Sequence, residues 1–125
     1  MIKQIKSSEI KKLLTDNKNV ELLDVRTQDE WDNIGKPDGE NLGLKTHFIT
    51  IVRSPDPAAN KEFIEEVKKM TDPNKDLLVM CKAGGRSMMA SQLLSQEKIN
   101  CINVSDGFEG SGDGLGWKSE GLPTK

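Results

Sequence analysis

The stretch LVMCKAGGRSMMASQLL, Leu78 to Leu94, joins an apolar run to a glycine-rich turn and then to a helical pattern. Leu77 to Met80 (LLVM) has none of the polar alternation of a half-exposed strand, so it reads as a strand covered on both faces, as parallel sheets require. Cys81 ends that run and Gly84 and Gly85 interrupt the chain. Ser87 to Glu97 then reads as a helix, with Met89, Ala90, Leu93 and Leu94 on one stripe.

Working outward, Val20 to Val25 (VELLDV) and Cys101 to Val104 (CINV) are further strand candidates of the same apolar kind. SSEIKKLLTDN reads as a first helix with Ile10, Leu13 and Leu14 on one face and Ser8 as its N-cap. TQDEW opens a short helix, because Thr27 with Glu30 three residues later is a capping box. Gly35, Pro37 and Gly39 make GKPDGENLGL turn-rich, and a loop through RSPDPAAN leads to a helix from about Asn60 to Met70. The apolar face of that helix is Phe63, Ile64, Val67 and Met70. Strands alternating with helices imply an α/β fold, a parallel sheet with helices on both faces. Ligands of such sheets sit beyond the carboxyl ends of the strands, and Cys81 stands at one of those ends.

The length of 125 residues fits a single domain spanning 1–125. A formal net charge of -2, with Lys and Glu interleaved, argues against nucleic-acid binding. Cys81 and Cys101 are too few for a disulfide scaffold and lack metal-knuckle spacing, and His47 is the single histidine, so neither a metal nor a cofactor is expected. No segment is long and apolar enough for a signal peptide or a membrane span. A cytoplasmic setting is the expectation, or a periplasmic one if an export signal precedes Met1.

The loop Cys81–Lys82–Ala83–Gly84–Gly85–Arg86–Ser87 reads in two ways. In the plainer one Cys81 is a buried strand-end residue and the glycines make a βα turn, as inert cysteines often do. In the other the glycines let successive N–H groups converge on the sulfur, and the helix that follows adds its positive end. Lys82 and Arg86 would add formal charge. That is an anion cradle with a nucleophile at its floor.

LLDVRTQDEW, GKPDGENL, CKAGGRS and DGFEG…GWKSEGLP, in this order, resemble a single-domain rhodanese over nearly the whole chain. The resemblance implies a five-stranded parallel sheet and a sulfurtransferase. Cys81 would take a sulfane sulfur from a donor such as thiosulfate or polysulfide, hold it as a persulfide and pass it to a thiophilic acceptor. Cyanide, a small thiol or a protein thiol would serve. Lys82, Ala83, Gly84, Gly85, Arg86 and Ser87 would cradle the substrate. The six-residue span from Cys81 to Arg86 is similar to that of sulfur-transferring members. Related phosphatases and arsenate reductases carry one residue more, so that reading ranks below a persulfide carrier or partner-recognition domain without turnover.

The same resemblance gives Asp24 a buried supporting place near the loop and pairs Arg26 with Glu30. Trp31 and Trp117 read as apolar anchors, Cys101 as core and His47 as a solvated loop residue. Arg53 is a candidate for the rim of the pocket. SDGFEGSGDGLG does not match a calcium loop, and its role in the 105–116 segment stays open, as do the physiological donor and acceptor and the oligomeric state.

Overall fold

The structure, a computed structural model, describes residues 2–51 and 59–125. Among these residues the strands and α-helices follow in order: β1 (Lys3–Ile5), α1 (Ile10–Asp16), β2 (Val20–Asp24), α2 (Gln28–Asn33), β3 (Thr46–Phe48), α3 (Ala59–Met70), β4 (Asp76–Met80), α4 (Gly85–Gln96) and β5 (Cys101–Val104). The five strands form one sheet in the order β1-β5-β4-β2-β3, every pair parallel.

The pleat divides each inner strand between two cores. Val20 and Leu22 of β2, Leu78 and Met80 of β4, and Ile102 and Val104 of β5 pack with Ile10 of α1 and with Phe108, Trp117 and Leu122 of the C-terminal segment. Leu23, Leu77, Val79, Cys81 and Cys101 point the other way, against Phe63 and Val67 of α3 and Ala90 and Leu94 of α4. The three inner strands thus bury both faces, the property read from their apolar runs. Trp31 of α2 meets Phe48 edge to face with centroids 5.4 Å apart, and Trp117 is fully buried with its indole N–H donating to the Pro123 carbonyl at 2.7 Å.

Several local expectations differ. Ser8 is not the cap of α1: Ser7–Glu9 form a single 3-10 turn, and the Lys6 amide donates to the Glu9 carboxylate at 2.8 Å. β1 and β3, three residues each, carry no apolar run long enough to read as strands; they are edges and pair on one side. His47 is no solvated loop residue. It is buried in β3, and its Nε2 lies 2.8 Å from Oε1 of Glu21, a carboxylate that β2 buries and that needs a partner. Met70 and Met89, read as core, are about half exposed; α4 packs instead through Ser87, Ala90, Ser91 and Leu94, with the Ser91 hydroxyl spent on the Ser87 carbonyl at 2.7 Å.

Candidate active site

Cys81 follows the last residue of β4, the middle strand of the sheet, and is 1% exposed. The chain then turns on Gly84, whose φ of +101° lies in the left-handed region. A side chain there would also come within 2.3 Å of the Ser105 carbonyl oxygen, so only glycine fits. The turn brings the Gly84 N–H onto Cys81 Sγ at 3.1 Å. It also starts α4 at Gly85, two residues before the Ser87 start expected from the sequence. Ser87, in the first turn of α4, sets its hydroxyl 3.3 Å from the same sulfur. Among the described residues, apart from its chain neighbours and its own helix backbone, nothing lies within 4 Å of where a side chain on Gly85 would stand, so the loop backbone is approachable there.

Arg86 does not hang free over the loop. Its guanidinium donates two parallel hydrogen bonds to Glu30 of α2, at 2.7 and 2.8 Å. Glu30 is held in turn by the capping box of α2: the Thr27 N–H and hydroxyl donate to Oε1 at 3.1 and 3.0 Å. The Arg86 bonds, reinforced by those of Thr27, hold the Glu30 carboxyl down at about 2. Glu30 likewise raises the Arg86 pKa, with a smaller push from the nearby Cys81.

The expected Arg26–Glu30 pair is replaced by another. Arg26 donates from Nε and Nη2 to Asp24 at 2.9–3.1 Å and from Nη2 to the Gly35 carbonyl at 2.9 Å, and its guanidinium lies 4.2 Å from the centre of the Phe108 ring. Asp24 and Arg26 are both fully buried, and two residues apart they reach each other with no distant partner. Glu30, half-buried on α2, is left to Arg86.

The chain after β5 backs the loop, a contact the sequence did not reveal. Phe108 N–H donates to the Cys81 carbonyl at 2.8 Å and Glu109 N–H to that of Lys82 at 3.0 Å. Gly107, with φ +61°, allows the approach, since a side chain there would meet the Lys82 carbonyl oxygen at 2.3 Å. Asp106 anchors the segment: fully buried, it accepts from the Ser7 N–H and hydroxyl and from the Gly116 N–H, all at 2.9 Å. Asn103 was also missed. The only signal was a polar residue among the apolar ones of CINV, on the face that Cys101 shares.

Lys82 and Ala83 are exposed beside the sulfur. Cys101 is buried at the start of β5, and desolvation pushes its thiol up to about 12, so it is core. Arg53 lies outside the described residues. Among the described residues no group of three or more His, Cys, Asp or Glu could hold a metal ion, and no helix is long and apolar enough to cross a membrane.

A cysteine on a βα loop under a helix N-terminus recurs in several folds, so the loop alone does not name the family. The family model described as "Rhodanese-like domain" matches residues 6–112. The chain belongs to the rhodanese-like family. An uncharacterised protein of Rickettsia prowazekii is 32% identical to this rhodanese-like chain over 126 residues, covering 98% of it and 97% of the relative. An Arabidopsis thaliana protein named thiosulfate sulfurtransferase 18 is 29% identical over 102 residues, 81% of this chain and 68% of that one. A crystal structure of a Mycobacterium tuberculosis protein superposes with a TM-score of 0.81 at 29% identity, covering 98% of this rhodanese-like chain and 96% of its own. The rhodanese-like family supports an enzyme of the sulfurtransferase type.

Proposed function

We propose that residues 1–125 work as one domain that transfers a sulfane sulfur through a persulfide on Cys81. One observation carries the reading: the Gly84 N–H donates to the sulfur of a cysteine at the carboxyl end of the middle strand, and the Ser87 hydroxyl stands beside that sulfur, able to donate once its hydrogen turns from Asn103. Donors so aimed are what an anionic sulfur accepts. The Cys81 thiolate attacks the outer sulfur of an anion such as thiosulfate; the new S–S bond forms as the old one breaks, and sulfite leaves with the electron pair. Cyanide or a thiol then attacks the outer sulfur of the persulfide and returns Cys81 as thiolate.

The loop from Lys82 to Ser87 cradles the transferred atom. Arg86, clamped by Glu30, fixes the start of α4, and among the described residues of the loop Lys82 is the exposed cation that draws in an anionic donor. Asp24 and Arg26 support the loop from below. The donor is small, because Cys81 is almost wholly covered.

Thiosulfate is the first donor to try, since a relative carries that name, and polysulfide the second. The test is intact-mass spectrometry after incubation with each. A gain of about one sulfur mass, removed by cyanide with release of thiocyanate, is the expected result. Loading without turnover identifies a carrier. No loading by either donor, or release of phosphate from an aryl phosphate, overturns the reading.

A further inference from the structure

Ser87 has one hydroxyl hydrogen and three acceptors within reach: Asn103 Oδ1 at 2.5 Å, the Gly84 carbonyl at 3.2 Å and Cys81 Sγ at 3.3 Å. The shortest contact claims the hydrogen. Asn103, 1% exposed, is engaged on its other side, where Nδ2 donates to Gln4 Oε1 at 3.0 Å and to the Gly84 carbonyl at 3.2 Å. In this arrangement Ser87 faces the sulfur as an acceptor, and the hydrogen between them is the thiol's own.

An anionic sulfur has no hydrogen to give. If Ser87 turned its own toward the sulfur, two bare oxygens would face each other across the 2.5 Å Ser87–Asn103 contact. Turning the Asn103 amide end for end removes the conflict at no cost in volume: Nδ2 donates to Ser87 Oγ, and the Ser87 hydrogen is free for Cys81. Oδ1 then faces Gln4, which is exposed and can turn its own amide to donate. The Gly84 carbonyl loses the Asn103 donor, faces Oδ1 instead and keeps the Met88 N–H at 3.1 Å, so turning the amide exchanges an oxygen–oxygen contact of 2.5 Å for a looser one of 3.2 Å.

We propose that Asn103 is a positioning residue of the sulfur-transfer cycle. Its amide presents oxygen to Ser87 while Cys81 is a thiol, and nitrogen while Cys81 carries anionic sulfur. Ser87 gives its hydrogen to the sulfur only in the second state. The inference rests on Cys81 being the reacting sulfur. Among the described residues the charged groups around that sulfur are Lys82, the Glu30–Arg86 pair and the Asp24–Arg26 pair, with Asp106 and Glu109 on the segment behind; the substitutions below alter none of these, and Asn103→Asp adds one negative charge.

The experiment is the pH profile of Cys81 alkylation by iodoacetamide, read by intact mass; the buried Cys101 stays silent. Asn103→Asp, when ionised, can only accept, so it holds the Ser87 hydrogen away from sulfur; with its added negative charge it moves the profile upward by about one pH unit. Asn103→Leu removes the acceptor, freeing that hydrogen for sulfur, and moves the profile downward. Asn103→Ala makes the same removal with less bulk, should the Leu variant not fold. In a Ser87→Ala background most of the Asn103→Asp shift disappears, because the relay is cut. Shifts of the same sign, no shift, or an Asn103→Asp shift that survives intact without Ser87 overturn the proposal. Alkylation needs no sulfur donor, so a failure here is read apart from a failure of sulfur transfer.

Discussion

At the sulfur of Cys81 the neighbouring polar groups are neutral, the Gly84 amide and the Ser87 hydroxyl. Cys81→Ser is expected to abolish persulfide loading while leaving the fold intact, since Ser is close in shape; retained thiocyanate release in that variant would exclude Cys81 as nucleophile. The neighbouring ion pair has a pH signature. Glu30 is held at about 2 against an ordinary 4.5. A lowered folded pKa means stability fully present above the ordinary value and lost as the pH falls through the folded one. The pair is partly exposed, so solvent screening reduces its worth. Glu30→Gln should cost about 1–2 kcal/mol at pH 7, and urea titrations should find the deficit shrinking between pH 4.5 and pH 2.

Among the elements, the loop is shaped by two glycines that face another backbone. Gly107→Ala forces a left-handed φ on a residue with a side chain and drives that side chain into the Lys82 carbonyl. A loss of about 2–4 kcal/mol and slower loading are expected, checked by urea unfolding and timed mass spectrometry. Gly85 is the contrast. Its neighbourhood is open and it lies in a helical turn, so Gly85→Ala should gain up to about 1 kcal/mol in thermal unfolding yet load sulfur more slowly, because the new methyl stands where the loop is approachable. The inner strands and α1 to α4 were legible because long apolar runs and a capping box are local signals. The Glu30–Arg86 clamp and the seating of Phe108 on the loop were not, since both join residues more than twenty-five positions apart and leave no periodic trace. Arg26 shows the converse error: a resemblance supplied a partner, while the nearer Asp24 was the one in reach.

Across the whole molecule, Asp106 ties Ser7, ahead of α1, to the turns that follow β5. Asp106→Ala would leave two buried donors, the Ser7 and Gly116 N–H groups, without an acceptor and the Ser7 hydroxyl with only the Gly107 carbonyl at 3.3 Å, and a loss of about 2–4 kcal/mol is expected in urea unfolding. The glycines of the 105–116 segment were legible as turns, but the carboxylate at their centre was not, because a buried Asp and a surface Asp look alike in a list of residues. The sheet order has one more outcome. Both outermost strands are three residues long, so each offers a very short row of unpaired amides and carbonyls. Such brief borders give a second copy little to zip onto, and growth of fibrils by strand addition is starved at both flanks.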